Sequence, residues 1–142
     1  MKYVIALLTT LFLSPLAHAD TNEITVYKSP YCGCCTAWSE HLRDNGFDVH
    51  EIKRDDMDAI KRQLGVPRKM ESCHTAQIDG YIIEGHVPAS DIKRLLTERP
   101  KAIGLSAPGM PIGSPGMEQG NHKERYTTIL FDKDSYKAFS HH

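Results

Sequence analysis

Apolar and polar positions alternate over residues 23–27, where Ile24 and Val26 share a face, and this pattern predicts a strand. Ser29-Pro30 breaks it, Cys32-Gly33-Cys34-Cys35 follows, and the period then lengthens. Trp38 and Leu42, four apart, share a helix face, and Asn45-Gly46 stops that helix. Residues 47–52 predict a second strand. Asp55 or Asp56 caps a second helix, with Met57, Ile60 and Leu64 at helical spacing before Gly65 and Pro67 end it. Residues 75–79 and 81–84 flank Asp79-Gly80, a hairpin signal. Pro88 opens a third helix with Ile92, Leu95 and Leu96 on one face, and Pro100 closes it.

Residues 100–125 behave differently. They hold four prolines and five glycines, a density at which no helix or strand is expected. A loop this long inside a compact domain is functional or disordered as a rule. Residues 126–131 predict a last strand and residues 135–139 a short end. The order strand, cysteine loop, helix, strand, helix, hairpin, helix resembles the thioredoxin/glutaredoxin plan. The expected fold class is therefore α/β, a single thioredoxin/glutaredoxin-like domain with an added Gly/Pro/Met-rich loop. In that plan Cys73, His74 and Thr75 face the first cysteine motif across a narrow gap. The thioredoxin family has a cis-proline there and this chain does not, a departure that argues against ordinary thioredoxin chemistry.

The first residues read as an address. Lys2 gives a basic start, residues 4–13 are apolar apart from Thr9 and Thr10, and Ser14-Pro15 ends the run. Ala17-His18-Ala19 supplies a small-x-small cleavage signal before Asp20. The apolar stretch is short for a bilayer span. A cleaved signal peptide over residues 1–19 is expected, with an uncleaved anchor or a buried first helix as the alternatives. Residues 20–142 then form the mature domain, working outside the cytoplasm, in a bacterial periplasm, with no membrane span left after signal removal.

Composition narrows the function classes. Lys and Arg number 17 against 18 Asp and Glu, for a net charge of −1, so nothing draws the chain electrostatically to nucleic acid. A chain of 142 residues, 40% of them hydrophobic, buries one core without staples. Its four cysteines need another explanation. Cys32 and Cys35 form a C-x-x-C, which reads as redox-active in this setting. Cys34 makes a vicinal pair with Cys35, and the helix that follows favours thiolate at its N-terminus. If the plan holds, Cys73 brings a fourth sulfur to the same place. Four sulfurs exceed what dithiol exchange needs, and the extra thiols would compete as wrong partners. Two structural disulfides are the plain alternative, but three cysteines within four residues staple poorly.

A metal uses them better. Zinc accepts four thiolates, but its structural sites usually come as two separated knuckles. The loop carries Pro108-Gly109-Met110 and Pro115-Gly116-Met117, one tripeptide twice, and neither methionine has a periodic core to join. Thioether sulfur is a poor zinc ligand and a good one for Cu(I). Among the histidines, His86 ends the hairpin at a corner bordering the site and is the expected ligand. His74 adjoins Cys73, and neighbours on an extended segment point to opposite faces, so only one of the two is expected inward. His122 follows the Met loop and could close over the site. His41 and His50 read as surface groups, and His141-His142 as a terminal pair.

These motifs together resemble the CopG-type copper-resistance proteins, periplasmic thioredoxin-like proteins found with copper efflux systems. The resemblance runs through Tyr31-Cys32-Gly33-Cys34-Cys35, Ser72-Cys73-His74-Thr75-Ala76, Asp79-Gly80-Tyr81, Glu84-Gly85-His86-Val87-Pro88 and the loop from Gly104-Leu105 to Met117-Glu118. It implies a multinuclear copper cluster on the cysteines with Met and His help, able to change between Cu(I) and Cu(II), and a role in copper detoxification. The candidate ligands, read from the residues themselves, are Cys32, Cys34, Cys35, Cys73, His86, Met110 and Met117, with His74 and His122 behind them. Copper ions are the expected partner, with periplasmic efflux or chaperone proteins after them. A possible copper oxidoreductase, a thiol–disulfide oxidoreductase without a metal role and a passive copper chaperone stay open.

Overall fold

The computed structural model describes residues 22–142, so the expected signal segment, residues 1–19, lies outside the described residues. β1 (Glu23–Lys28) alternates buried and exposed positions, as its sequence requires. It runs through α1 (Gly33–Asp44) into β2 (Asp48–Lys53), which pairs with it in parallel, Ile24 opposite Val49. α2 (Met57–Gln63) follows, N-capped by Asp56; the Asp56 carboxylate goes to Arg54 instead of the helix amides. β3 (Thr75–Ile78) lies antiparallel to β1 and turns into β4 (Tyr81–Gly85). The turn residues Asp79 and Gly80 have φ of 46° and 84°, the positive pair that a tight hairpin of this twist demands. α3 (Ala89–Glu98) crosses over to β5 (Gly104–Ala107), parallel to β4, and β6 (Thr127–Phe131) and β7 (Tyr136–His141) complete a seven-stranded sheet in the order β2-β1-β3-β4-β5-β6-β7.

The main core lies where α1 and α3 meet one sheet face. Trp38 and Leu42 from α1 and Ile92 and Leu95 from α3 pack on Ile24, Val26, Ile83 and Leu105. A smaller cluster of Val66, Met70 and Phe131 closes around Ile82, so the consecutive β4 side chains Ile82 and Ile83 serve different clusters. β4 is thus buried throughout. Within the described residues no helix is long and apolar enough to cross a membrane.

Two expectations fail. Residues 104–107, inside the segment expected to hold no regular structure, form β5, and all four are buried. The glycine that reads as a breaker is what permits the pairing: a Cβ at Gly104 would lie 2.0 Å from the Ile82 carbonyl oxygen. The chain end is also longer in strand than residues 135–139 suggest, since β7 runs to His141. His142 then stacks on Tyr126 at 4.7 Å, and its Nε2 lies 3.0 Å from Asp91 Oδ2.

Candidate metal centre

α1 begins at Gly33 with Cys32 as its N-cap, and its first turn carries no acidic residue. Cys34 and Cys35 therefore sit among the free amides at the positive end of the helix. Cys35 is buried and joined to Cys32 in a disulfide, whereas Cys34 and Cys73 are free thiols. Cys34 Sγ is 3.5 Å from Cys32 Sγ. The four sulfurs of Cys32, Cys34, Cys35 and Cys73 all lie within 4.8 Å of one another. Sulfur atoms 38 to 41 residues apart in sequence thus meet at one point. Trp38 fixes the helix that carries two of them, with a third at its N-cap, by donating its Nε1–H to the Val87 carbonyl at 2.9 Å.

The opposite wall is built on a buried carboxylate. Glu84, on β4, accepts from the Ser72 amide at 2.7 Å and from the Thr75 hydroxyl at 2.6 Å. These two bonds bracket Cys73 and His74 from either side. Lys61, buried on α2, donates to Thr75 Oγ1 at 3.0 Å and pairs directly with Glu84. Burial pushes the Glu84 carboxyl up, and the Lys61 ammonium, the Thr75 hydroxyl and the Ser72 amide pull it back. Gly85 N–H donates to the His74 carbonyl at 3.0 Å and closes the turn. A second buried lysine, Lys28, reaches Thr36 Oγ1 at 2.5 Å, and Thr36 in turn donates to the Cys32 carbonyl at 3.3 Å.

Cys73 is the hub. Its Sγ lies 3.0 Å from His86 Nε2 and 3.3 Å from His74 Nδ1, and these three form a second donor group within 4.8 Å. Cys73 and His74 therefore both turn inward, where strand alternation led us to expect only one of the two. The reason is that β3 starts only at Thr75, so the pleat does not govern residues 73 and 74. His86 Nδ1 is 2.8 Å from the Pro115 carbonyl, which can only accept, so Nδ1 carries the proton and Nε2 presents its lone pair to Cys73. His74 Nε2 is buried with no partner, and its ring lies 4.3 Å from Trp38. Burial holds both imidazoles below the usual histidine range, His74 far below, so both are neutral donors at pH 7. The Cys73 thiol is pushed up to about 12, first by burial and then by neighbouring Cys34.

The Gly/Pro loop is fastened over this group. Gly109 N–H donates to the Glu71 carbonyl at 3.2 Å, and its own carbonyl accepts from Ser72 Oγ, beside Cys73. Gly116 rests on the start of α1, where a Cβ would lie 2.7 Å from both the Cys34 carbonyl oxygen and the Trp38 nitrogen. Each Pro-Gly-Met copy is thus anchored on one side of the thiols. Met110 is 48% exposed and Met117 half-buried. His122 is exposed and belongs to neither donor group among the described residues. His50 is exposed beside Glu23 and Asp48, as expected of a surface group. His41 is not one: it is half-buried, accepts the Ala89 amide at 3.2 Å and is lowered by that burial. The Lys61–Glu84 pair escaped sequence reasoning, although a lone acidic residue in the apolar run 81–85 signals it.

Residues 70–117 match a family described as "Protein of unknown function, DUF411", a span that holds Cys73, both Met-bearing tripeptides and His86 but not the first cysteine motif. Two solved structures align along most of the chain at 44% sequence identity. "Copper resistance protein copG- Form 2" has a TM-score of 0.81, covering 84% of this chain and 97% of that one. "Copper resistance protein copG- Form 1" has a TM-score of 0.80, covering 84% and 96%. No curated protein matches the chain.

Proposed function

The chain belongs to the CopG family of copper resistance proteins, and from that premise we propose that it binds Cu(I) as cargo in the periplasm, several ions to one cysteine cluster. The observation that carries this reading is the meeting of four sulfurs within 4.8 Å. A thiolate sulfur can bridge two metals, so four such sulfurs suit a multinuclear cluster better than one ion. Neutral imidazole and thioether complete a soft donor set that favours Cu(I) over zinc. His86 is the best-placed imidazole, Met110 and Met117 are the thioethers, and His74 and His122 stand behind them. Opening the Cys32–Cys35 disulfide frees all four sulfurs. Copper charge then replaces the proton that Cys73 holds tightly in its buried setting. On this reading the β1–α1–β2 and β3–β4–α3 units are a thioredoxin-like scaffold reached after cleavage of residues 1–19. The loaded cluster passes copper to an efflux or chaperone protein, or cycles between Cu(I) and Cu(II).

The test is a Cu(I) titration of the reduced protein against a chelator. More than one copper per chain is expected, with stoichiometry and affinity both falling in Cys34→Ser. One copper or fewer, or an unchanged Cys34→Ser, removes the multinuclear reading. A second reading has one observation in its favour: the Cys32–Cys35 disulfide at a helix start is the resting form of a thiol–disulfide oxidoreductase. That reading predicts insulin reduction that persists under copper chelation and is indifferent to Met110→Leu and Met117→Leu.

A further inference from the structure

We propose that the Cys32–Cys35 disulfide sets the copper capacity of the site, and that the disulfide form keeps a smaller, mononuclear Cu(I) site built from Cys34, Cys73 and His86. This rests on the copper reading above and adds a second state to it. The disulfide consumes two of the four sulfurs and leaves the other two free. Those two come from different walls, Cys34 from the first turn of α1 and Cys73 from the segment before β3, yet they lie within 4.8 Å. Cys73 is also 3.0 Å from His86 Nε2. Cys73 is therefore shared between a second thiol, Cys34, on one side and an imidazole, His86, on the other, without any contribution from Cys32 or Cys35.

The choice of His86 over His74 follows from the outer contacts. A ligating histidine needs a partner for its other ring nitrogen, which fixes the ring and raises its basicity. His86 has one in the Pro115 carbonyl at 2.8 Å. His74 would ligate through Nδ1, leaving a protonated Nε2 buried with no acceptor. His86 is thus held ready by the loop, while His74 is not. Three soft-to-borderline donors suit one three-coordinate Cu(I) and are too few to complete the coordination of a second ion. Opening the disulfide takes two electrons and two protons from a dithiol reductant, which leaves as its own disulfide. The two thiols so released then supply the extra donors of the larger cluster.

The experiment compares the full mature chain in its two thiol states. Protein prepared without reductant is checked by alkylation and mass spectrometry for two free thiols, and a second sample is reduced and desalted under nitrogen. Each is titrated with Cu(I) against a chelator. The proposal expects one copper per chain in the disulfide form and more than one in the reduced form. It expects Cys73→Ser to abolish binding in the disulfide form and His86→Gln to weaken it at least tenfold. The double variant Cys32→Ser/Cys35→Ser, which leaves the inferred ligands untouched, should bind one copper whether or not reductant was used. A disulfide form that binds nothing while the reduced form binds several overturns this inference and leaves the cluster reading standing. Equal capacity in the two states also overturns it. Failure to bind in either state overturns both.

Discussion

The two Pro-Gly-Met copies have the same sequence and different mechanical positions. Gly116 lies so close to α1 that a Cβ would meet backbone atoms of Cys34 and Trp38, and its neighbour Pro115 holds His86. Gly109 hydrogen-bonds to the Cys73 wall through Glu71 and Ser72, but a Cβ there would meet nothing within 4 Å. Both have positive φ, 71° at Gly109 and 84° at Gly116, so the backbone requirement is shared and the close approach is not. The second copy is part of the wall of the centre, and the first is a strap along its rim. A short repeat therefore marks two ends of one loop without giving them equal weight.

The Cys73 wall depends on a charge pair, so its largest expected response is to loss of that pair. Lys61→Met leaves Glu84 buried without its cation and should cost about 3–5 kcal/mol in urea unfolding of the apoprotein. Lys61→Met/Glu84→Gln should recover much of that loss. Gly116→Ala combines a left-handed backbone with backbone overlap and is expected to cost about 3–4 kcal/mol and to weaken copper binding. Gly109→Ala faces the backbone term alone, about 1–2 kcal/mol, with copper binding preserved. Equal effects from the two alanines would erase the distinction between wall and strap. Met117→Leu should likewise reduce copper tolerance more than Met110→Leu, read as growth on copper plates.

The smallest effect is on the pH profile of the apoprotein. His74 and His86 have folded values below the unfolded value of about 6.5, so the unfolded chain binds more protons in that window. Stability is full above about 6.5 and falls as pH drops below it. At the other end Cys73 titrates at about 12 in the folded protein, so stability also falls as pH rises past the ordinary thiol range. Thermal unfolding from pH 5 to pH 10 reads both limbs, and His86→Gln should flatten the acid one.

Much of this was legible in the sequence. Alternation in β1, helical spacing of Trp38 and Leu42, and Asp79-Gly80 each mark their element because local periodicity and turn chemistry agree with the fold. The convergence of Cys73 on the first motif followed from element order. β5 was not legible, because a Gly/Pro-rich segment becomes a strand only through pairing with β4 and β6 on either side. Nor was the joint placement of Cys73 and His74, which depends on a strand start that a buried salt bridge fixes. Contacts between distant residues, such as Pro115 with His86, leave no local pattern to read.

Copper X-ray absorption on the reduced, copper-loaded protein addresses the cluster most directly. Sulfur-dominated coordination with a resolved copper–copper scattering shell, lost in Cys73→Ser, is the result expected of bridging thiolates. A copper environment of nitrogen and oxygen, or isolated copper with no metal neighbour at full loading, would contradict it.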